Sequence, residues 1–75
     1  MFIWEIESQI FDPLKDEGEY IGGYNSEKAQ CTTWEDALNY FIKQVQSGLC
    51  AACWVTATLD GKPYNDGEPI LSYCA

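Results

Sequence analysis

Only one stretch of this chain repeats its apolar residues with helical period: "TTWEDALNYFIKQVQSG", residues 32–48. Trp34, Ala37, Leu38, Phe41, Ile42 and Val45 fall on one side of a helix there, and Glu35, Asp36, Asn39, Lys43, Gln44 and Gln46 make the wet side. Thr32 followed by Glu35 fits a capping box, in which hydroxyl and carboxylate each satisfy a backbone N–H that the first turn leaves free. Gly48 supplies the left-handed residue that ends a helix, and Leu49 is placed to cover the last turn. A single helix with an apolar stripe must bury it against another element, and the rest of this chain offers only a sheet.

The strands follow from period two. In "FIWEIESQI", residues 2–10, Phe2, Trp4, Ile6, Ser8 and Ile10 share one face while Ile3, Glu5, Glu7 and Gln9 share the other, a half-buried strand with an acidic outer side. "AACWVTATL", residues 51–59, is rich in β-branched and apolar types and reads as a central strand. Asp60-Gly61 is a two-residue hairpin signal that turns the chain into Lys62, Pro63 and Tyr64, with Pro63 at an edge. A turn at "NDGEP", residues 65–69, leads into a last short strand, "ILSYC", residues 70–74. Between the first strand and the helix, Pro13, Gly18, Gly22, Gly23 and Asn25 interrupt so often that residues 11–30 read as a long loop, with room for a helical turn at 13–16 or a brief strand at Tyr20 and Ile21. The expectation is one α+β domain over residues 1–75, a single amphipathic helix packed on a small antiparallel or mixed sheet of three to four strands. Seventy-five residues lie near the size at which one core only just offsets chain entropy, so an added staple has a use.

Four cysteines are the candidates for that staple, and "GLCAACW", residues 48–54, sets two of them three apart in a chain with no histidine. Disulfides need an oxidising compartment. The opening "MFIWEIESQI" lacks a basic leader and carries Glu5 and Glu7 inside its apolar run, so the expectation is a cytoplasmic protein with reduced thiols. A redox pair needs its first thiol at the positive end of a helix, whereas this helix finishes at Gly48, before Cys50. Two further readings weigh more than disulfides or a redox pair. In one, the four pack as small core residues. In the other, Cys50, Cys53 and Cys74, with Cys31 as the fourth, close a tetrahedral structural zinc site. A last strand returning antiparallel along residues 53–59 brings Cys74 beside Cys53. A helix of about 16 residues is roughly 24 Å long and separates Cys31 from Cys50, so an Asp or Glu of the acidic segment, or a water, is the alternative fourth ligand.

Twelve acidic residues against four lysines and no arginine give a net charge of −8, which argues against direct nucleic-acid binding and for a basic protein partner. No run approaches the roughly 20 apolar residues of a membrane span. There is no histidine base, phosphate-cradling glycine loop or nucleophile elbow, so the chain reads as a binder and not an enzyme. The carboxylates placed to meet a basic partner are Glu5 and Glu7 on the outer strand face and Asp12, Asp16, Glu17 and Glu19 in the segment after it, with Tyr20 and Tyr24 as aromatic anchors.

A very small, acidic α+β chain of this element order resembles the anti-CRISPR inhibitors that phages and mobile elements encode. The resemblance covers the whole chain in size, charge and element order and carries no motif by which a family residue is transferred. It implies a non-enzymatic inhibitor that binds a CRISPR effector nuclease, the single-protein type II enzyme foremost, in its nucleic-acid channel or a mobile lobe. The alternative is a small zinc-stapled regulatory or structural interaction domain with a target unrelated to CRISPR.

Overall fold

The computed structural model describes residues 1–16, 18 and 21–75. Strand β1 (Phe2–Asp16) is followed by β2 (Ile21–Cys31), helix α1 (Trp34–Gln46), β3 (Cys50–Leu59), β4 (Lys62–Pro63), one 3-10 turn (Asn65–Gly67) and β5 (Leu71–Cys74). The strands form a single antiparallel sheet of five, with β1 between β2 and β3, and with β4 and β5 sharing the far side of β3. One helix on an antiparallel sheet is the α+β arrangement expected, but the sheet has five strands where three to four were expected.

The extra strand comes from the segment read as a loop. β1 does not stop at Ile10, and β2 returns beside it in unbroken register from Asp12↔Gly23 to Trp4↔Cys31. The punctuating residues are absorbed locally. An irregularity between Asp12 and Asp16 takes up Pro13, and the Asp12 carboxylate accepts from the Leu14 N–H at 3.0 Å and from the Asn25 amide at 3.2 Å. Gly22 has φ +101°, and the Phe11 ring comes within 3.3 Å of where a Cβ would stand, so the glycine both adopts the backbone angle and makes room for the ring. β3 pairs with β1 only over Phe2 to Ile10, and the Phe11 N–H to Leu49 carbonyl bond at 2.8 Å is the last tie. Beyond it the β1–β2 hairpin continues as a two-stranded arm, which accounts for dimensions of 44 × 22 × 17 Å.

The helix is capped one residue later than the sequence suggested. Thr33, and not Thr32, is the N-cap, its hydroxyl accepting from the Asp36 N–H at 3.2 Å. At the other end Gly48 takes φ +80°, as its position predicted. Ala37 is fully buried, with Tyr40, Phe41 and Val45 packed around it, whereas Ile42 is 42% exposed. The helix is thus turned from the expected stripe, because the Tyr40 ring supplies the apolar contact that Ile42 was expected to make.

The core under the helix is small: Ile6, Ala37, Cys50, Cys53, Val55 and Ala57, with Ser8 buried among them. Ile6 lies opposite Ala29 on one side and Val55 on the other. An aromatic row closes one end of this layer. Phe2 stacks on Trp4 at 5.0 Å, Trp4 meets Trp34 at 5.0 Å, and Tyr64 meets Phe2 edge-on at 5.1 Å. The Asp60-Gly61 turn has both residues at positive φ, 51° and 83°, as the primed hairpin turn requires. Among the described residues, no helix is long and apolar enough to cross a membrane.

Candidate protein-binding face

Because α1 covers one side of the sheet, the alternation of each strand decides which residues the other side presents. In β1 that side carries Ile3, Glu5, Glu7, Gln9 and Phe11, and the pairing aligns them in rows across the sheet. Glu5 lies between Gln30 and Thr56, Glu7 between Lys28 and Trp54, Gln9 between Ser26 and Ala52, and Phe11 opposite Tyr24. Ser72 extends the Glu7 row and Cys74 the Gln9 row. The rows are tied by contacts at modest range. Gln30 donates to Glu5 Oε2 at 3.4 Å, Gln9 donates to the Ser26 hydroxyl at 3.4 Å, and the Lys28 ammonium stands 3.8 Å from Glu7. Phe11 and Tyr24 meet edge-on with centroids 5.6 Å apart, and both remain exposed. The face therefore offers carboxylates, amides and hydroxyls around a half-buried tryptophan, with an aromatic pair at the root of the arm.

Of the acidic and aromatic residues singled out from the sequence, Glu5, Glu7 and Tyr24 share this face. Asp12 falls on the alternate parity, and both of its carboxylate oxygens are engaged in local hydrogen bonds, so it shapes the arm. Asp16 closes β1, in register with Ile21. Glu17, Glu19 and Tyr20 lie outside the described residues. Sequence reasoning missed Gln30, Lys28, Trp54, Thr56 and Thr58 as members of the face. The alternation of "WVTAT" contains the signal, but only the register of β3 against β1 puts those side chains beside Glu5 and Glu7.

The four cysteines are not gathered. Gln9 pairs with Ala52 and Ile10 with Cys50, which leaves Ala51 as an extra residue in β3. This bulge brings Cys50 to the same helix-facing side as Cys53 although they are three apart, and both are buried. The Cys53 thiol lies 3.5 Å from the Ser8 hydroxyl, and the Cys50 thiol donates to the Ala52 carbonyl at 3.2 Å. Burial first, and then the neighbouring Cys53 thiol, push the Cys50 thiol above its ordinary pKa. Such a thiol is the opposite of a reactive one.

Cys74 was expected beside Cys53. β5 does return antiparallel along β3, but Tyr73 is the partner of Cys53 and Cys74 the partner of Ala52, so Cys74 projects on the far side of the sheet. Cys31 pairs with Trp4, one strand further across and four residues along from the row of Ser8 and Cys53. The four thiols therefore do not fit one tetrahedral ion. Among the described residues no group of three or more Cys, Asp and Glu side chains is placed to hold a metal. Tyr40, above this layer, has its phenol pKa raised, by burial first and then by the Glu27 carboxylate.

No protein-family model, curated protein or solved structure matches the chain.

Proposed function

We propose that the chain is a non-catalytic inhibitor that docks the helix-free face of its sheet on a basic protein whose own work is to grip nucleic acid. The observation that supports this most is the row structure of that face. Glu5 and Glu7 stand side by side with half-buried Trp54 and the exposed Phe11–Tyr24 pair on the side of the sheet away from α1. Aromatic side chains give such a surface holding power, and the charge of −8 speeds encounter with a positive partner. The resemblance in size, charge and element order makes a CRISPR effector nuclease the first partner to try, with the carboxylates occupying lysines and arginines that otherwise hold the guide–target backbone.

The test is direct. Purified chain is mixed with type II effector loaded with guide at moderate salt, and complex formation, DNA loading and DNA cleavage are measured. A stable complex with reduced loading or cleavage, weakened by the double substitution Glu5→Gln with Glu7→Gln, supports the reading. No complex with any CRISPR effector, or a complex indifferent to those two carboxylates, overturns it.

A further inference from the structure

One part of this face is shaped as well as charged. β2 ends at Cys31, the partner of Trp4, and the chain then leaves the sheet for α1. Ile3, two residues before Glu5 on the same face, consequently has Thr58 of β3 beside it and no β2 residue on its other side. The missing neighbour leaves a depression of ≈ 160 Å³ lined by Ile3, Glu5, Gln30, Thr56, Ala57 and Thr58.

We propose that this notch receives an arginine side chain of the bound partner. Its chemistry is that of an acceptor set built around one carboxylate. Gln30 occupies Glu5 Oε2 through its amide N–H, while Glu5 Oε1, the Gln30 carbonyl oxygen and the hydroxyls of Thr56 and Thr58 are further acceptors at the same place. Glu7, one row along, has Lys28 at 3.8 Å, whereas Glu5 has only the neutral amide among the described residues. A cation entering here meets an acid that no lysine has already neutralised. A guanidinium suits the set better than an ammonium. It is planar with five N–H groups to spread over several acceptors, and it sheds water more readily. Its methylene stem has the Ile3 side chain to lie on.

This inference rests on the open face being the docking face, but its test does not need the partner. The isotopically labelled full chain is titrated at low salt with N-acetylarginine methylamide, and separately with the lysine analogue, while backbone amide shifts are followed. The expected result is saturable change centred on Ile3, Glu5, Gln30, Thr56 and Thr58, tighter for the arginine analogue. Glu5→Gln should weaken it about fivefold, the size of an exposed charge pair. Glu35→Gln, exposed on the helix and off this face, should leave it within about twofold. Gln30→Ala is a second variant that removes an acceptor without touching a charge, and it should weaken binding too. Shifts spread over every acidic region, equal response to both analogues, or indifference to both Glu5→Gln and Gln30→Ala would overturn the proposal. Arginine binding at the notch in a protein that engages no CRISPR effector would sink the inhibitor reading and leave the notch standing.

Discussion

Ile6→Ala should come close to unfolding this protein. Ile6 is one of the two largest apolar side chains in the core and is fully buried between Ala29 and Val55, and the other members, Ala37, Cys50, Cys53 and Ala57, are small. Removing an Ile side chain from such a site costs about 2–5 kcal/mol, and the small neighbours have little volume with which to collapse into the gap. A core of this size in a chain below about 80 residues supplies roughly 3–5 kcal/mol in total. Taking about 3–4 kcal/mol as the loss leaves the folded and unfolded forms nearly balanced at 25 °C. The assay is urea denaturation followed by tryptophan fluorescence, since Trp4 and Trp34 meet at 5.0 Å at the end of the same layer. Ile3→Ala, on the open face, is the matched control and should cost about 1 kcal/mol or less. Equal midpoint losses for the two variants would refute the reasoning. So would a larger loss on adding a tight zinc chelator to the unmodified protein than on making Ile6→Ala, because stability would then reside in a metal and not in this apolar layer.

The arm and the thiols give further tests. Gly22→Ala forces a Cβ onto a backbone at φ +101° and against the Phe11 ring at 3.3 Å, so it should cost about 1–2 kcal/mol and speed amide exchange in residues 22–25. With a disulfide reagent at pH 8, exposed Cys74 should react first and Cys31 more slowly, while Cys50 and Cys53 should react only as the chain unfolds; prompt reaction of Cys50 would contradict its burial and raised pKa. The Tyr40 phenol is held neutral by the fold, so its contribution to stability is complete below the ordinary tyrosine pKa and is lost as pH rises through the raised one. Tyr40→Phe should accordingly flatten the alkaline limb of a thermal-stability profile, and an unchanged limb would count against that assignment.

How much of this was legible in advance differs by element, for physical reasons. The helix, the Asp60-Gly61 turn and the strand at 51–59 are set by local rules, namely period, capping chemistry and positive-φ residues, and the structure has all three. Segment 11–30 reads as a loop because Pro13, Gly22 and Gly23 break any local strand pattern. What makes it strand is non-local: Phe11 covers Gly22 and the Asp12 carboxylate accepts from the Asn25 amide, pairs that exist only once the hairpin has closed. Faces were easier than rows. Glu5 and Glu7 were placed on the outer side by alternation alone, whereas Gln30, Thr56 and Thr58 join them through register, which one strand cannot reveal. The same limit explains the misplaced Cys74. The turn at 65–69 implies the antiparallel return, but a shift of one residue in register, Tyr73 and not Cys74 opposite Cys53, sends a side chain to the opposite face.

The motif that looks most chemical, "GLCAACW", is explained by the approach of the helix. Ala37 is the helix residue buried deepest, and the strand beneath it presents Cys53, Val55 and Ala57, so the helix rests on small and medium side chains. A plain strand would point Cys50 and Cys53 to opposite sides. The bulge at Ala51 returns Cys50 inward, where its thiol is buried in the core and still finds the Ala52 carbonyl as a partner. Cysteine suits such a place because it is small, apolar and able to make one weak hydrogen bond, which serine would do only at a greater desolvation cost. Cys50→Ser and Cys53→Ala thus separate packing from chemistry. The first should destabilise by about 1–2 kcal/mol through the buried hydroxyl, and the second by about 1 kcal/mol through the lost sulfur. Neither should alter docking by the opposite face, because both thiols lie beneath the helix while Glu5, Glu7 and Trp54 lie on the other side of the same sheet.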